Sequence, residues 1–291
     1  MKNPEALKQQ LTSIKESGYK IPTGVNLDAL IADMLAHIGD TDAELRDALI
    51  YSTFGEWTDN KILSAVQLKH ILTTCLDSQH LFFGIGEKDT DSVFTRAFSS
   101  LPISLVLWSN QNKTPLLTAA EILDIKETML RYIGQEKDCR GYVNGKGWAH
   151  AIAHIADVLG HLAEASVTTE GEEDFSLSRE GLLEILEAVK MMVSRKDGVY
   201  TAEEDERLTV PVMDVIYREA LTNEEIIRWI DSFNIEDKEW YRGTMPDSYY
   251  LYVNRKHFMR SLNFKLLSDG DYSEICEHML GFLMEADENE E

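Results

Sequence analysis

The chain has 291 residues, 44% of them hydrophobic, and a formal net charge of −23. That is long enough for a sizeable core. It excludes binding to nucleic acid or to an anionic membrane surface, both of which need basic residues against phosphate. The same charge favours solubility and a partner with a basic surface.

Three cysteines, Cys75, Cys139 and Cys276, lie far apart with no CxxC pair, the usage of a reducing compartment. The N-terminal residues hold no apolar run of signal-peptide type, and the most apolar stretch, Leu101 to Trp108, is too short to span a bilayer. A cytoplasmic protein is expected.

Asn3-Pro4-Glu5 is a helix start, with Leu7, Leu11 and Ile14 at helical spacing; residues 1–20 are expected to form a peripheral helix. A second helix is predicted over 26–38 and a third from Asp42, with Leu45, Leu49, Ile50 and Phe54 inward. Arg46 and Asp47 fall inside the third; they are expected to be exposed or to pair with a neighbouring helix. A fourth helix covers Ser64 to Leu76. Gly84-x-Gly86 is no phosphate loop, because no strand precedes it. Helical periodicity resumes at Asp91, and Pro102 is expected to kink or split that element. Thr118-x-x-Glu121, Thr201-x-x-Glu204 and Thr222-x-x-Glu225 read as capping boxes, and Pro211 predicts a kink or restart. Residues 168–174 read as an acidic loop, 238–254 as an aromatic-rich loop, and 285–291 as a frayed acidic tail. With no second strand pattern to pair, the fold expected is all-α: stacked antiparallel helices in one domain, 1–291, in the manner of a HEAT or armadillo α/α superhelix.

The chemistry concentrates between Asp138 and Ala165, which hold three of the eight histidines. Treated as one helix from Trp148, this stretch has a large apolar face (Trp148, Ile152, Ile155, Val158, Leu159, Leu162) and a face of small residues (Ala149, Ala153, Ala156, Gly160, Ala163). His150, His154, Asp157, His161 and Glu164 form a polar stripe only ~80° wide at about 100° per residue. The small face predicts a close helix neighbour.

His150 and His154 at i, i+4, with Asp157 one turn on, are candidate ligands for a divalent metal and candidate acid–base residues. Ala151 stands where a zinc protease carries its general base, so that chemistry is excluded. His161 lies roughly 16 Å from His150 along the axis, too far to share an ion. Asp138, Arg140, Lys146 and Trp148 are candidate ligand-binding residues, because a helix N-terminus beside basic side chains suits a small anion. No GxSxG and no alternating calcium-loop acids occur. The plainer reading of the stripe is a buried polar network fixing helix register. No cofactor is predicted outright.

Several segments resemble a bacterial family known as domain of unknown function 2785. They are Glu44-Leu45-Arg46-Asp47 with Tyr51, Asp91-Ser92-Val93-Phe94-x-Arg96-x-Phe98-Ser99, Asp138-x-Arg140-Gly141, Lys146-Gly147-Trp148-Ala149-His150-x-x-Ala153-His154-x-x-Asp157, and Phe258-x-Arg260-Ser261-Leu262. The resemblance implies an α-helical, HEAT-like or armadillo-like fold and no particular activity. The leading expectation is a scaffold or protein-interaction module rather than an enzyme. The alternative is a metal-dependent or acid–base enzyme, or a small-anion-binding protein, centred on His150, His154 and Asp157.

Overall fold

Asn3 accepts a hydrogen bond from the Ala6 amide and Pro4 occupies the first turn, which starts α1 (Pro4–Glu16) where the sequence places it. The computed structural model describes residues 2–167, 175–233 and 246–288. The chain divides into two compact units, Met1–Ser176 and Leu177–Glu291.

In the first unit α2 (Leu27–Ala36) is capped by Asn26. Glu44–Tyr51 then winds as a π-helix and continues into α3 (Ser52–Asp59). The Asp42 carboxylate accepts the amides of Glu44 and Leu45 at its start. Next come α4 (Ala65–Cys75), closed by a Ser64–Gln67 capping box, and α5 (Ser92–Asn112). α5 runs through Pro102 without a break, so the proline does not split it. The Thr118–Glu121 capping box forms as predicted and opens α6 (Ala119–Gln135).

Two short antiparallel hairpins, absent from the sequence reading, flank the next helix. β1 (Tyr142–Val143) pairs with β2 (Gly147–Trp148), and β3 (Ser166–Val167) with β4 (Phe175–Ser176). Between them α7 (Ala151–Glu164) packs most extensively against α5 and also against α6. Its apolar residues Ile152, Ile155, Val158, Leu159 and Leu162 are buried, and so are Ala153, Ala156, Gly160 and Ala163. α7 is thus a central helix, with its small residues buried.

The second unit contains α8 (Arg179–Val193), α9 (Glu204–Tyr217), α10 (Asn223–Asp231), α11 (Pro246–Asp269) and α12 (Ser273–Glu288). α9 packs on α8 and α11, and α12 on α10 and α11. Phe233 and Phe258 stack at 5.7 Å in its core, with Trp229 edge-on to Phe233 at 5.0 Å. The Thr222–Glu225 box caps α10, but Thr201 is not the N-cap of α9. Glu203, at φ 62, precedes α9 instead, and the Glu204 carboxylate folds back to accept the Ala202 amide. Pro211 lies inside a continuous α9. Tyr249 to Asn254 belong to α11, not to a loop. Trp240, Tyr241 and Gly243 of the expected aromatic loop, and the acidic stretch 168–174, lie outside the described residues. Of the acidic tail, 285–288 extend α12 and 289–291 lie outside the described residues. The described residues are mostly helical, and none of their helices is long and apolar enough to cross a membrane.

Candidate functional site

Arg46 begins the site. The three- and four-residue spacing that buries Leu45, Leu49 and Ile50 carries Arg46 inward with them, and its side chain is fully buried. The guanidinium donates through Nη1 to the Asp40 carbonyl, and through Nη2 to the carbonyls of Lys146 (2.8 Å) and Trp148 (2.9 Å). It also sits 4.2 Å from the ring centre of Phe94 and 4.6 Å from that of Phe98. Nε has no hydrogen-bond partner among the described residues. Burial lowers the Arg46 pKa to about 10, against the pull of Asp47, Asp40 and Asp42. The expectation of an exposed or ion-paired Arg46 is therefore corrected: a lone cation lies in the core, held by carbonyls and aromatic faces.

The Lys146 and Trp148 carbonyls belong to the β1–β2 hairpin, so Arg46 holds its backbone from below. Gly147 makes the approach possible. It has φ 78, and a Cβ there would lie 2.7 Å from the Ala43 Cβ. Trp148 is consequently a strand residue that is 41% exposed, not a core residue of α7. Tyr142, its cross-strand partner, is 56% exposed and meets it edge-on at 4.9 Å.

His150 follows at φ 49, a left-handed conformation that a residue with a Cβ adopts at a cost. The turn lets the amides of Ala149 and His150 both donate to the Gly141 carbonyl, and lets the His150 carbonyl accept the His154 amide that begins α7. It also lays the imidazole on Trp148, at 4.2 Å and 17° between planes. His154 meets His150 edge-on at 5.9 Å and Phe98 at 5.0 Å. Its Nδ1 donates to the Ala97 carbonyl of α5 at 3.1 Å. Tyr142, Trp148, His150, His154 and Phe98 thus form a line of rings from solvent to core, with the Arg46 guanidinium on Phe98 at its inner end. Half-buried Asp47 lies within electrostatic reach of His150; burial raises its carboxyl pKa, while Arg46 and His150 draw it down.

Asp138, Arg140 and Lys146 bond elsewhere. The buried Asp138 carboxylate accepts the Asp89 amide and the Arg140 Nε and Nη2 groups, the last at 2.6 Å. Arg140 also donates to the Thr90 carbonyl, and Lys146 Nζ contacts both oxygens of Asp91 at 2.6 Å. One step deeper, Glu136 takes Arg96 at 2.6 and 2.9 Å, the Tyr132 hydroxyl and the Asp138 amide, all in the core. These groups tie the segment before α5 to the hairpin. Asp157 is half-buried one turn along α7, and His161 reaches Glu164 of its own helix at 3.5 Å. Among the described residues no group of three or more His, Cys, Asp or Glu side chains is placed to hold a metal ion.

Arg46, Asp47, Phe98 and Tyr142 were not candidates from sequence. The available signal for Arg46 was its place three and four residues before the apolar Leu49 and Ile50; for Tyr142 it was the Tyr-x-x-Gly-x-Gly-Trp spacing of a tight hairpin.

The fold and site define a helical protein whose N-terminal unit carries an aromatic hairpin hydrogen-bonded to a buried arginine. The model of the family described as protein of unknown function (DUF2785) matches residues 81–264, and the chain belongs to that family. No curated protein matches the chain, and no solved structure does.

Proposed function

We propose that the protein is a protein-interaction module that offers Tyr142 and Trp148 to a partner with a basic surface. The observation that carries this reading is that two large aromatic side chains are exposed and yet packed on each other, on His150 and beside the Arg46-held backbone. Aromatic anchors of this kind dominate interface energetics, and fixing them in advance removes most of their ordering cost on binding. The net charge of −23 adds attraction to a basic partner, whose Arg or Lys side chains suit exposed ring faces. We read the helices as stacked in HEAT or armadillo fashion, supported by packing between near neighbours in sequence, α4 on α5 and α8 on α9. We place the protein in the cytoplasm, because none of Cys75, Cys139 and Cys276 is in a disulfide.

The test is affinity capture from a lysate of the host cell with wild-type, Trp148→Ala, Tyr142→Ala and His161→Ala proteins, followed by quantitative mass spectrometry. A basic protein retained by wild type and His161→Ala should fall roughly tenfold or more with Trp148→Ala, and should elute as salt rises. Identical retention by a Trp148→Ala/Tyr142→Ala double variant would refute the proposal.

A further inference from the structure

A concavity lies in the first unit beside the end of α2. It has a volume of about 460 Å³ and is open to solvent. The end of α2 and the turn after it supply Leu35, His37, Ile38 and Asp40; the turn after α4 supplies His80 and Phe83; α5 supplies Thr95. Gly39 permits the arrangement. A Cβ there would fall 2.1 Å from Thr95 Oγ1 and 2.4 Å from Thr95 Cα, so only glycine lets the end of α2 lie against α5.

Asp40 and His80 are the acceptors of this cavity. His80 Nδ1 donates to Asp77 Oδ1 at 2.8 Å, and the Gln79 amide fixes the same oxygen at 2.7 Å. The proton is thereby held on Nδ1, and Nε2 presents a lone pair with no partner among the described residues. His37 is not one of them: its Nε2 donates to the Lys2 carbonyl at 2.9 Å, and its Nδ1 lies 3.6 Å from Asp40 Oδ2, beyond hydrogen-bond reach. Asp40 keeps its carboxylate at the rim, one oxygen accepting the Asp42 amide. The end of α2 adds the negative pole of a helix dipole. Against these acceptors stand Leu35, Ile38 and the 43%-exposed ring of Phe83.

An acceptor-rich rim, an apolar wall and an aromatic face, on a chain of charge −23, select a ligand that donates hydrogen bonds and carries positive charge on an apolar body. We infer that this cavity binds a small organic cation, a primary ammonium on an aromatic or aliphatic body, with Asp40 and His80 Nε2 accepting from the ammonium and Phe83 covering the body. The inference does not rest on the protein partner proposed above.

Calorimetric titration of the full chain at about pH 7.5 with benzylamine, benzyl alcohol and benzoate tests it. Benzylamine should bind saturably, at least about tenfold more tightly than the alcohol or the acid. Asp40→Asn should weaken benzylamine about tenfold, and His80→Gln and Phe83→Ala should each weaken it several-fold, while His161→Ala has no effect. Because Asp40 also holds a turn, melting curves are recorded for every variant, and His80→Gln carries the test if Asp40→Asn melts early. Absence of saturable binding, benzoate binding as tightly as benzylamine, or wild-type affinity in a folded His80→Gln would each overturn the inference.

Discussion

Arg46 is fully buried in the first unit. It brings a full charge into the core without a contacting carboxylate, and the return is three carbonyl acceptors and two ring faces. Arg46→Met removes the desolvation cost along with the bonds, and should destabilise the protein by about 2–4 kcal/mol in urea unfolding. It should also release the hairpin. In protein labelled with 5-fluorotryptophan, the Trp148 resonance, assigned through Trp148→Phe, should move toward the solvent-exposed position. An unmoved resonance would show that the hairpin holds itself. Asp47 gives a pH-dependent counterpart. Burial raises its pKa above the ordinary 3.8, so the native state holds the proton more tightly than the unfolded chain. Its contribution is favourable below about pH 3.8 and is lost as pH rises through the raised value, leaving a cost at neutral pH. Asp47→Asn should therefore be more stable than wild type at pH 7, with the difference shrinking toward zero near pH 3.5, as read from urea midpoints at the two pH values.

At the scale of elements, the hairpin and α7 divide a stretch that reads as one helix from sequence. Helical arithmetic places the interior of α7 correctly, since Ile152 to Leu162 are buried as the period requires. It fails at the start because two positive-φ residues, Gly147 and His150, reverse the chain before the first helical turn. A histidine in the left-handed region carries no reliable local signal; the conformation is imposed by the Gly141 carbonyl and the stack on Trp148. Gly147→Ala should accordingly cost about 1–3 kcal/mol, through both the φ of 78° and the Ala43 contact. Amide exchange should accelerate selectively over 141–150. α5 shows the opposite balance. Its polar serines are buried, yet Ser99 and Ser100 donate back to the Thr95 and Ala97 carbonyls at 2.6 Å, so a helix with a central proline and buried hydroxyls remains continuous.

For the whole molecule, a charge of −23 sets a background of self-repulsion that no local contact removes. Raising ionic strength from about 10 mM to about 0.5 M shortens the screening length severalfold, and should raise the melting temperature by about 2–4 °C for each ~1 kcal/mol of repulsion relieved. A fall in melting temperature would mean that attractive pairs such as Lys8 with Asp42 and Glu44 outweigh the repulsion. The sequence alone determined the helical character, the capping boxes at Thr118 and Thr222, the buried face of α7 and the family, because each rests on periodicity or on contacts within one turn. The tertiary structure decided what the site is. Arg46 meets Lys146 a hundred residues away, and His154 meets Ala97 across fifty-seven, so no local spacing records either pairing. The segment between Asp138 and Ala165 supplies both the β1–β2 hairpin and α7. Its outward part is an aromatic hairpin, because a buried cation beneath it turns Trp148 from a helix position to the surface.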